Sequence, residues 1–130
     1  MANILVLDDV YDAAHLIDRI LTRKGHQVQA FTDEDEAILY ARSHPVDLAI
    51  LDIKLKKMSG IEVLGLLKEI DPKMRVMLLT GYPTLDTARQ ALELGAGEYC
   101  VKPIEKDDLE EKVAGLLDSH AGSGALPPSV

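Results

Sequence analysis

Three acids, a hydroxyl and an amine stand out in this chain for where they fall. Asp8 and Asp9 are adjacent and follow the apolar run 4–7, Asp52 follows 48–51, Thr80 follows 76–79, and Lys102-Pro103 follows 99–101. A carboxylate at the end of a buried run resists losing its water unless something offsets its charge. Three carboxylates held within ~5 Å could not all stay ionised without a counter-charge. Taken singly, each residue has a plain structural explanation. Asp8 or Asp9 could cap a helix, Asp52 could be a loop acid, Thr80 a turn residue and Lys102 a solvated charge. Cys100 and Tyr99 could be core filler. The chemistry depends on whether the fold brings these groups to one place.

The elements that would do so are legible as a pattern. Short apolar runs alternate with amphipathic stretches. Strands are predicted at 3–7, 27–31, 47–51, 75–79 and 98–101. The runs at 4–7, 48–51 and 76–79 lack polar alternation, as strands covered on both faces of a parallel sheet do; 27–31 alternates and suits a position nearer an edge. Helices are predicted between them. Ala13, Ile17, Ile20 and Leu21 share one face of the first, which Gly25 stops. Thr32 with Asp35 would cap the second, which ends before Pro45. Ile61, Leu64 and Leu67 stripe the third, and 71–72 halts it. Thr84 would cap the fourth, with Leu85, Ala88 and Leu92 inward and Gly95 after it. Leu109, Val113, Leu116 and Leu117 stripe the fifth. The result is an α/β fold, a doubly wound five-stranded parallel sheet of (βα)5 type.

In such a sheet the strand C-termini share one edge, where ligands bind. The three acids, Thr80 and Lys102 then converge there, and the plain reading of all five at once becomes improbable. Lys102 brings one positive charge, and a hard dication would bring two more. Mg2+ prefers oxygen ligands and commonly binds through one or two carboxylates plus phosphate. One of the adjacent acids would ligate it directly and the other would hold a metal-bound water.

Composition bounds the remaining possibilities. At 130 residues, with 47% hydrophobic and 28% charged residues, the chain suits one globular domain. Acids outnumber Lys and Arg by 22 to 14, a net charge of -8, which argues against direct binding to nucleic acid or an anionic membrane surface. Cys100 is the single cysteine, no secretory signal is visible, and no apolar stretch has membrane-spanning length, so a cytoplasmic setting is expected. The histidines at 15, 26, 44 and 120 lack metal-ligand spacing; His26 and His44, beside Gly25 and Pro45, read as turn residues. The uncharged, Gly- and Pro-containing stretch 121–130 reads as a frayed end or linker start. The expected organisation is a domain over 1–119 and a flexible tail over 120–130.

Four stretches, "VLDDV" (6–10), "LAILDIKLKKMSGIEVL" (48–64), "LLTGYPTLDTARQALELGA" (78–96) and "EYCVKPI" (98–104), resemble the receiver domain of two-component response regulators. The resemblance runs over about residues 2–118. It implies a flavodoxin-like receiver fold with strand order 2-1-3-4-5 and Asp52 as phosphoacceptor. It further implies Mg2+ held by Asp9, Asp52 and the Lys54 backbone carbonyl, with Asp8 acting through water. Thr80 would contact the phosphoryl group and Lys102 would pair with it. Tyr99 matches the family's switch aromatic, and Lys102-Pro103 its cis peptide. The implied phosphodonor is a sensor histidine kinase, a phosphotransfer protein or a small phosphodonor. The implied output is a partner or output domain read through the fourth helix, fifth strand and fifth helix, a face that could also form a homodimer. The chain would catalyse its own phosphorylation and dephosphorylation without being a turnover enzyme.

Where the family commonly has Met-Pro, this chain has Leu55-Lys56, with spacing to Gly60 kept. Lys54 and Lys57 would make that loop a basic rim. Gly81, after Thr80, would leave room for the phosphodonor. Lys54 and Tyr82, two residues after Asp52 and Thr80, are placed to obstruct or orient the water that ends the signal; the alternative is that both point to solvent. Three competing functions fare worse. A haloacid-dehalogenase-type phosphatase needs a second Asp two residues after its nucleophile, where this chain has Val10, Tyr11 or Lys54. A pure interaction module does not account for the intact acid set. A flavodoxin-like cofactor carrier would need a phosphate-cradling loop after the first strand.

Overall fold

The computed structural model describes residues 1–121. Strands and helices alternate: β1 (Asn3–Leu7), α1 (Tyr11–Arg23), β2 (Gln27–Phe31), α2 (Glu34–Ser43), β3 (Leu48–Asp52), α3 (Gly60–Ile70), β4 (Arg75–Thr80), α4 (Leu85–Glu93), β5 (Glu98–Val101) and α5 (Lys106–Ala121). The strands form one parallel sheet in the order β2-β1-β3-β4-β5. The alternating strand 27–31 is indeed an edge. The central runs are apolar throughout because both of their faces are covered. Leu5, Leu7, Leu51, Val76 and Leu78 point into the core under α2 and α3. Ile4, Val6, Leu48, Ile50, Met77 and Leu79 point into the opposite core under α1 and α5. The period-2 alternation of strand side chains thus feeds two cores from the same residues.

Caps and turns set where each helix begins and ends. α1 and α4 are followed by Gly25 and Gly95, with φ of 95° and 92°, a left-handed conformation that glycine adopts without strain. Ser59 and Glu62 form a reciprocal capping box at the start of α3. Asp33 caps α2, its carboxylate accepting from Glu36 N–H at 3.0 Å. That corrects the expected Thr32/Asp35 pair: β2 runs through Phe31 and α2 begins at Glu34, so the residue with cap geometry is Asp33. Neither Asp8 nor Asp9 caps α1, whose N-cap is Val10 without a side-chain bond. β3 starts one residue later than expected and takes in Asp52, while Asp47 stays outside and accepts from Asn3 N–H.

α4 departs most from expectation. Leu85 and Leu92 are 79% and 74% exposed, whereas Ala91 is buried and Ala88 half-buried. The helix is rolled so that its small side chains face the sheet. Ala88 and Ala91, three apart, share one face and allow close approach, while Leu85 and Leu92 lie about a quarter-turn away. In α1, Ala14 rather than Ala13 joins Ile17 and Leu21 in the core. α5 continues to Ala121, so the boundary expected at 119 falls inside the helix; the tail expected beyond 121 lies outside the described residues.

Gly60 controls the return from β3 into α3. A β-carbon there would overlap the Asp52 carbonyl oxygen and sit 2.8 Å from Ile53 Cα, while Gly60 N–H donates to Ile53 O at 2.8 Å. Gly115, in the middle of α5, has no atom within 4 Å of its would-be β-carbon. Gly60→Ala should therefore cost about 1–3 kcal/mol in denaturant unfolding. Gly115→Ala should instead gain about 0.5–1 kcal/mol by restricting the unfolded chain.

Candidate functional site

The C-terminal edge of the sheet gathers the five groups. Asp8 directly follows β1 and is 2% exposed, Asp9 is half-buried beside it, and Asp52 closes β3, itself buried. Each of the three offers a carboxylate oxygen, and these oxygens lie within 4.8 Å of one another. Lys102 enters from the end of β5, its Nζ 2.6 Å from Asp8 Oδ2 and 3.4 Å from Asp52 Oδ2. Its backbone N–H donates to Thr80 O at 2.8 Å, and its bond to Pro103 is cis. The other Asp8 oxygen accepts from Val10 N–H at 2.9 Å, which turns the chain sharply from β1 into α1.

Charge balance at this edge is incomplete. One ammonium faces three carboxylates. Burial pushes the Asp52 carboxyl above its ordinary value and the Asp8 charge pushes it further, with Lys102 and the Lys54 N–H opposing them. Burial works against the Lys102 charge, but its hydrogen bond to Asp8 and the charges of both acids more than offset this and raise its pKa. Close oxygen donors with surplus negative charge suit a hard dication of the Mg2+ type; softer metals favour nitrogen and sulfur. Asp8, Asp9 and Asp52 are the residues able to hold it.

Thr80 is buried, and its Oγ accepts from Tyr82 N–H at 3.0 Å. A hydroxyl accepting in this way keeps its own proton free to donate. A β-carbon on Gly81 would meet nothing within 4 Å, so the space beside this residue is open. An open groove of about 410 Å³ runs alongside, lined in part by Ile53, Lys54, Met58, Thr80 and Tyr82. Lys54 and Tyr82 meet across it, with Nζ 4.3 Å from the ring centroid, a cation–π contact. Tyr99 is half-buried in β5, its hydroxyl 2.7 Å from Thr87 Oγ and within 3.4 Å of Thr84 N–H. Cys100 is buried, and burial pushes its thiol pKa up, as befits core filler.

Two features differ from the sequence reading. Lys57 does not form a basic rim; its Nζ lies 2.7 Å from Asp33 and 3.1 Å from Asp35, neutralised by acids of the β2–α2 turn. Glu34, which the sequence did not single out, is 1% exposed, and its carboxylate accepts from the backbone N–H groups of Lys57 and Met58. Nothing in the local pattern marks it, because its partners lie 23 and 24 residues away.

Comparison with known proteins agrees with this geometry. A family model described as "Response regulator receiver domain" matches residues 4–114. The chain is 33% identical over 115 residues to sporulation initiation phosphotransferase F of Bacillus subtilis, covering 88% of this chain and 93% of that protein. It aligns with a CheY-like response regulator receiver domain protein from Methanospirillum hungatei at a TM-score of 0.92 and 31% identity, covering 95% and 99% of the two chains. A response regulator from Burkholderia pseudomallei, solved with a phosphorylated aspartic acid, calcium ion and citrate, aligns at a TM-score of 0.82 and 31% identity, covering 95% of this chain and 71% of that one. The chain spans 29% of the length of the transcriptional regulatory protein ZraR of Salmonella typhimurium, at 29% identity.

The raised Asp52 pKa has a consequence for stability. Below the ordinary carboxylate value, about 3.9, Asp52 is neutral in both folded and unfolded chains and carries no penalty. As pH rises through its folded value, the fold loses that advantage. With chelator present, Asp52→Asn should therefore be more stable than wild type at neutral pH, by more than the ~0.5 kcal/mol typical of surface changes. The gain should shrink as pH falls toward 4. Chemical denaturation across that range measures it, and a pH-independent difference would contradict this account.

Proposed function

The chain belongs to the response regulator receiver domain family, the receivers of two-component signalling, and from that premise we propose that Asp52 is its phosphoacceptor. The observation that carries this reading is the placement of Asp52: a buried carboxylate at a strand end, with Asp8 and Asp9 within 4.8 Å and an ammonium 3.4 Å away. The family is one of signalling switches and not of turnover enzymes.

Asp9, Asp52 and the Lys54 carbonyl hold Mg2+ in this reading, with Asp8 acting through water. When bound, the ion supplies two positive charges against the negative charge of the transferring phosphoryl group. The rest is done by the chain itself. An Asp52 oxygen attacks phosphorus, and the phosphorus–nitrogen bond of a phosphohistidine, or the phosphorus–oxygen bond of a small donor, breaks with its electron pair leaving on the donor. The product is an aspartyl phosphate. Lys102, already beside Asp52, balances charge on the phosphoryl oxygens, and the free proton of Thr80 donates to one of them.

The aspartyl phosphate carries about 1.5 to 2 negative charges in place of the one on the Asp52 carboxylate, where repulsion is already unbalanced. Drawing Thr80 inward pulls on Tyr82, whose N–H it accepts, and so on the turn leading into α4. Tyr99 is tied to the start of α4 through Thr87 and Thr84, which makes β5 and α4 one unit for switching. The α4–β5–α5 face is the readout for a partner, an output domain or a second copy, and Leu85, Leu92 and Val101 lie exposed on its elements. The net charge of -8 disfavours nucleic acid as the direct target. Among the described residues no helix is long and apolar enough to cross a membrane, and the setting proposed is the cytoplasm with a histidine kinase or phosphotransfer protein as donor. Lys54 and Tyr82 set the lifetime of the signal in this reading, since their contact spans the groove lined by Ile53 and Thr80, the side from which water would reach the phosphorus.

Acetyl phosphate with Mg2+ should add one phosphoryl group by intact mass, and Asp52→Asn or chelation should abolish it. Equal labelling of Asp52→Asn would overturn the assignment. Beryllofluoride should move amide resonances across 80–102, and shifts confined to the acid pocket would overturn the switch. In Lys54→Asn/Tyr82→Glu, aspartyl phosphate should decay about tenfold faster, equivalent to ~1.4 kcal/mol off the barrier. Unchanged decay with phosphorylation preserved would remove both residues from lifetime control.

A further inference from the structure

The loop from Ile53 to Ser59 carries the backbone adjoining Asp52, yet its own sequence contains no proline to stiffen it. Its two ends are anchored. Lys54 N–H lies 3.4 Å from Asp52 Oδ1 at the start, and at the far end Gly60 N–H bonds Ile53 O while Ser59 caps α3. The middle is held from outside. Glu34, the first residue of α2, turns its carboxylate under the loop, and a single oxygen, Oε2, accepts from both Lys57 N–H and Met58 N–H, the latter at 3.1 Å. The Lys57 side chain reaches back over the same turn to Asp33 and Asp35.

A carboxylate this deeply buried survives only if its charge is compensated. Burial pushes Glu34 upward, but the N–H groups of Lys57, of Glu34 itself and of Met58 outweigh it and leave the carboxyl below its ordinary value. Its place in the first turn of α2 adds the favourable end of the helix dipole. The group is therefore ionised, satisfied and bound to backbone rather than to a flexible side chain. Neither the fold's two cores nor the acid cluster needs a carboxylate here.

We propose that Glu34 is a positioning residue that latches the β3–α3 loop to the start of α2 and thereby sets the backbone course of Lys54 beside Asp52. Only Leu55 and Lys56 separate Lys54 from the latched Lys57, so fixing 57 and 58 leaves at most ~10 Å of extended chain and little freedom for the Lys54 carbonyl. The inference rests on the reading of Asp9, Asp52 and that carbonyl as the Mg2+ site. It assigns to α2, which contributes no ligand, a direct hold on metal affinity.

The test uses the full chain with three substitutions. Glu34→Ala removes the latch. Glu34→Gln keeps one side-chain oxygen able to accept both N–H bonds. Ala41→Gly weakens α2 without touching the loop. Well below each melting temperature, Glu34→Ala should weaken Mg2+ binding by isothermal titration by about tenfold or more, as loss of an outer support typically does. It should also speed amide exchange at 53–58, while Glu34→Gln restores most of both. Wild-type Mg2+ affinity in Glu34→Ala would overturn the proposal, as would an equal loss in Ala41→Gly. If wild type itself binds no Mg2+, the site reading fails, and amide exchange still decides the latch: unchanged exchange at 53–58 in Glu34→Ala overturns it.

Discussion

Repulsion among Asp8, Asp9 and Asp52, incompletely balanced by Lys102, is the constraint around which this structure is arranged. Burying like charges together is costly, and a fold retains such a cluster only when the rest of it prevents the acids from moving apart. Here Asp8, Asp52 and Lys102 are each fixed by backbone they cannot leave. Asp8 directly follows a central strand and is tied to Val10 N–H, Asp52 lies within its own strand, and Lys102 is hydrogen-bonded through its backbone to Thr80. A site under such tension can be relieved by added positive charge and is strongly perturbed by added negative charge. Both properties suit a metal-assisted phosphoryl acceptor.

The parallel sheet makes the arrangement rigid where it must be and adjustable where it can be. With β1, β3 and β4 covered on both faces, their C-terminal ends are the points where the cores stop and polar chemistry begins. The loops leaving those ends differ in how they are held. The β3–α3 loop is fastened by Glu34, Gly60 and the Ser59–Glu62 box. The β4–α4 turn is held by lighter contacts: Thr80 to Tyr82 N–H, Lys54 over the Tyr82 ring, and Tyr99 to Thr87. Ala91 is the one fully buried residue of α4, so its hold on the core is weaker than that of α3, whose Ile61, Val63, Leu64 and Leu67 are all buried. Motion in response to charge at Asp52 is therefore expected on the α4 side, where fewer apolar contacts oppose it.

The order of elements, the two-sided strands and the convergence of the five chemical groups were legible because they rest on local periodicity and on the handedness of βαβ units. Four of the five strands and the inward stripes of α3 and α5 follow that pattern closely. The pattern failed at α4, where Leu85, Ala88 and Leu92 have helical spacing but the helix is rolled toward Ala91. Periodicity fixes which residues share a face and leaves open which face meets the sheet. When small and large side chains compete, close packing and the Tyr99–Thr87 bond decide, and both belong to the assembled molecule.

Charge in the loops followed the same division. Lys54 and Lys57 look equivalent in sequence, two cations in one short loop. In the structure one covers a tyrosine ring and the other is neutralised by two acids from a different turn. Glu34 reads as one acid among several at a helix start, and only its burial against Lys57 and Met58 distinguishes it. The sequence by itself determined the fold class, the edge of the sheet that matters and the candidate residues that meet there, because these depend on pattern and chain order. Only the tertiary structure decided the roll of α4, the partners of each loop cation and the hold of α2 on the β3–α3 loop. Those depend on groups twelve or more residues apart meeting in the folded chain, which no local pattern encodes.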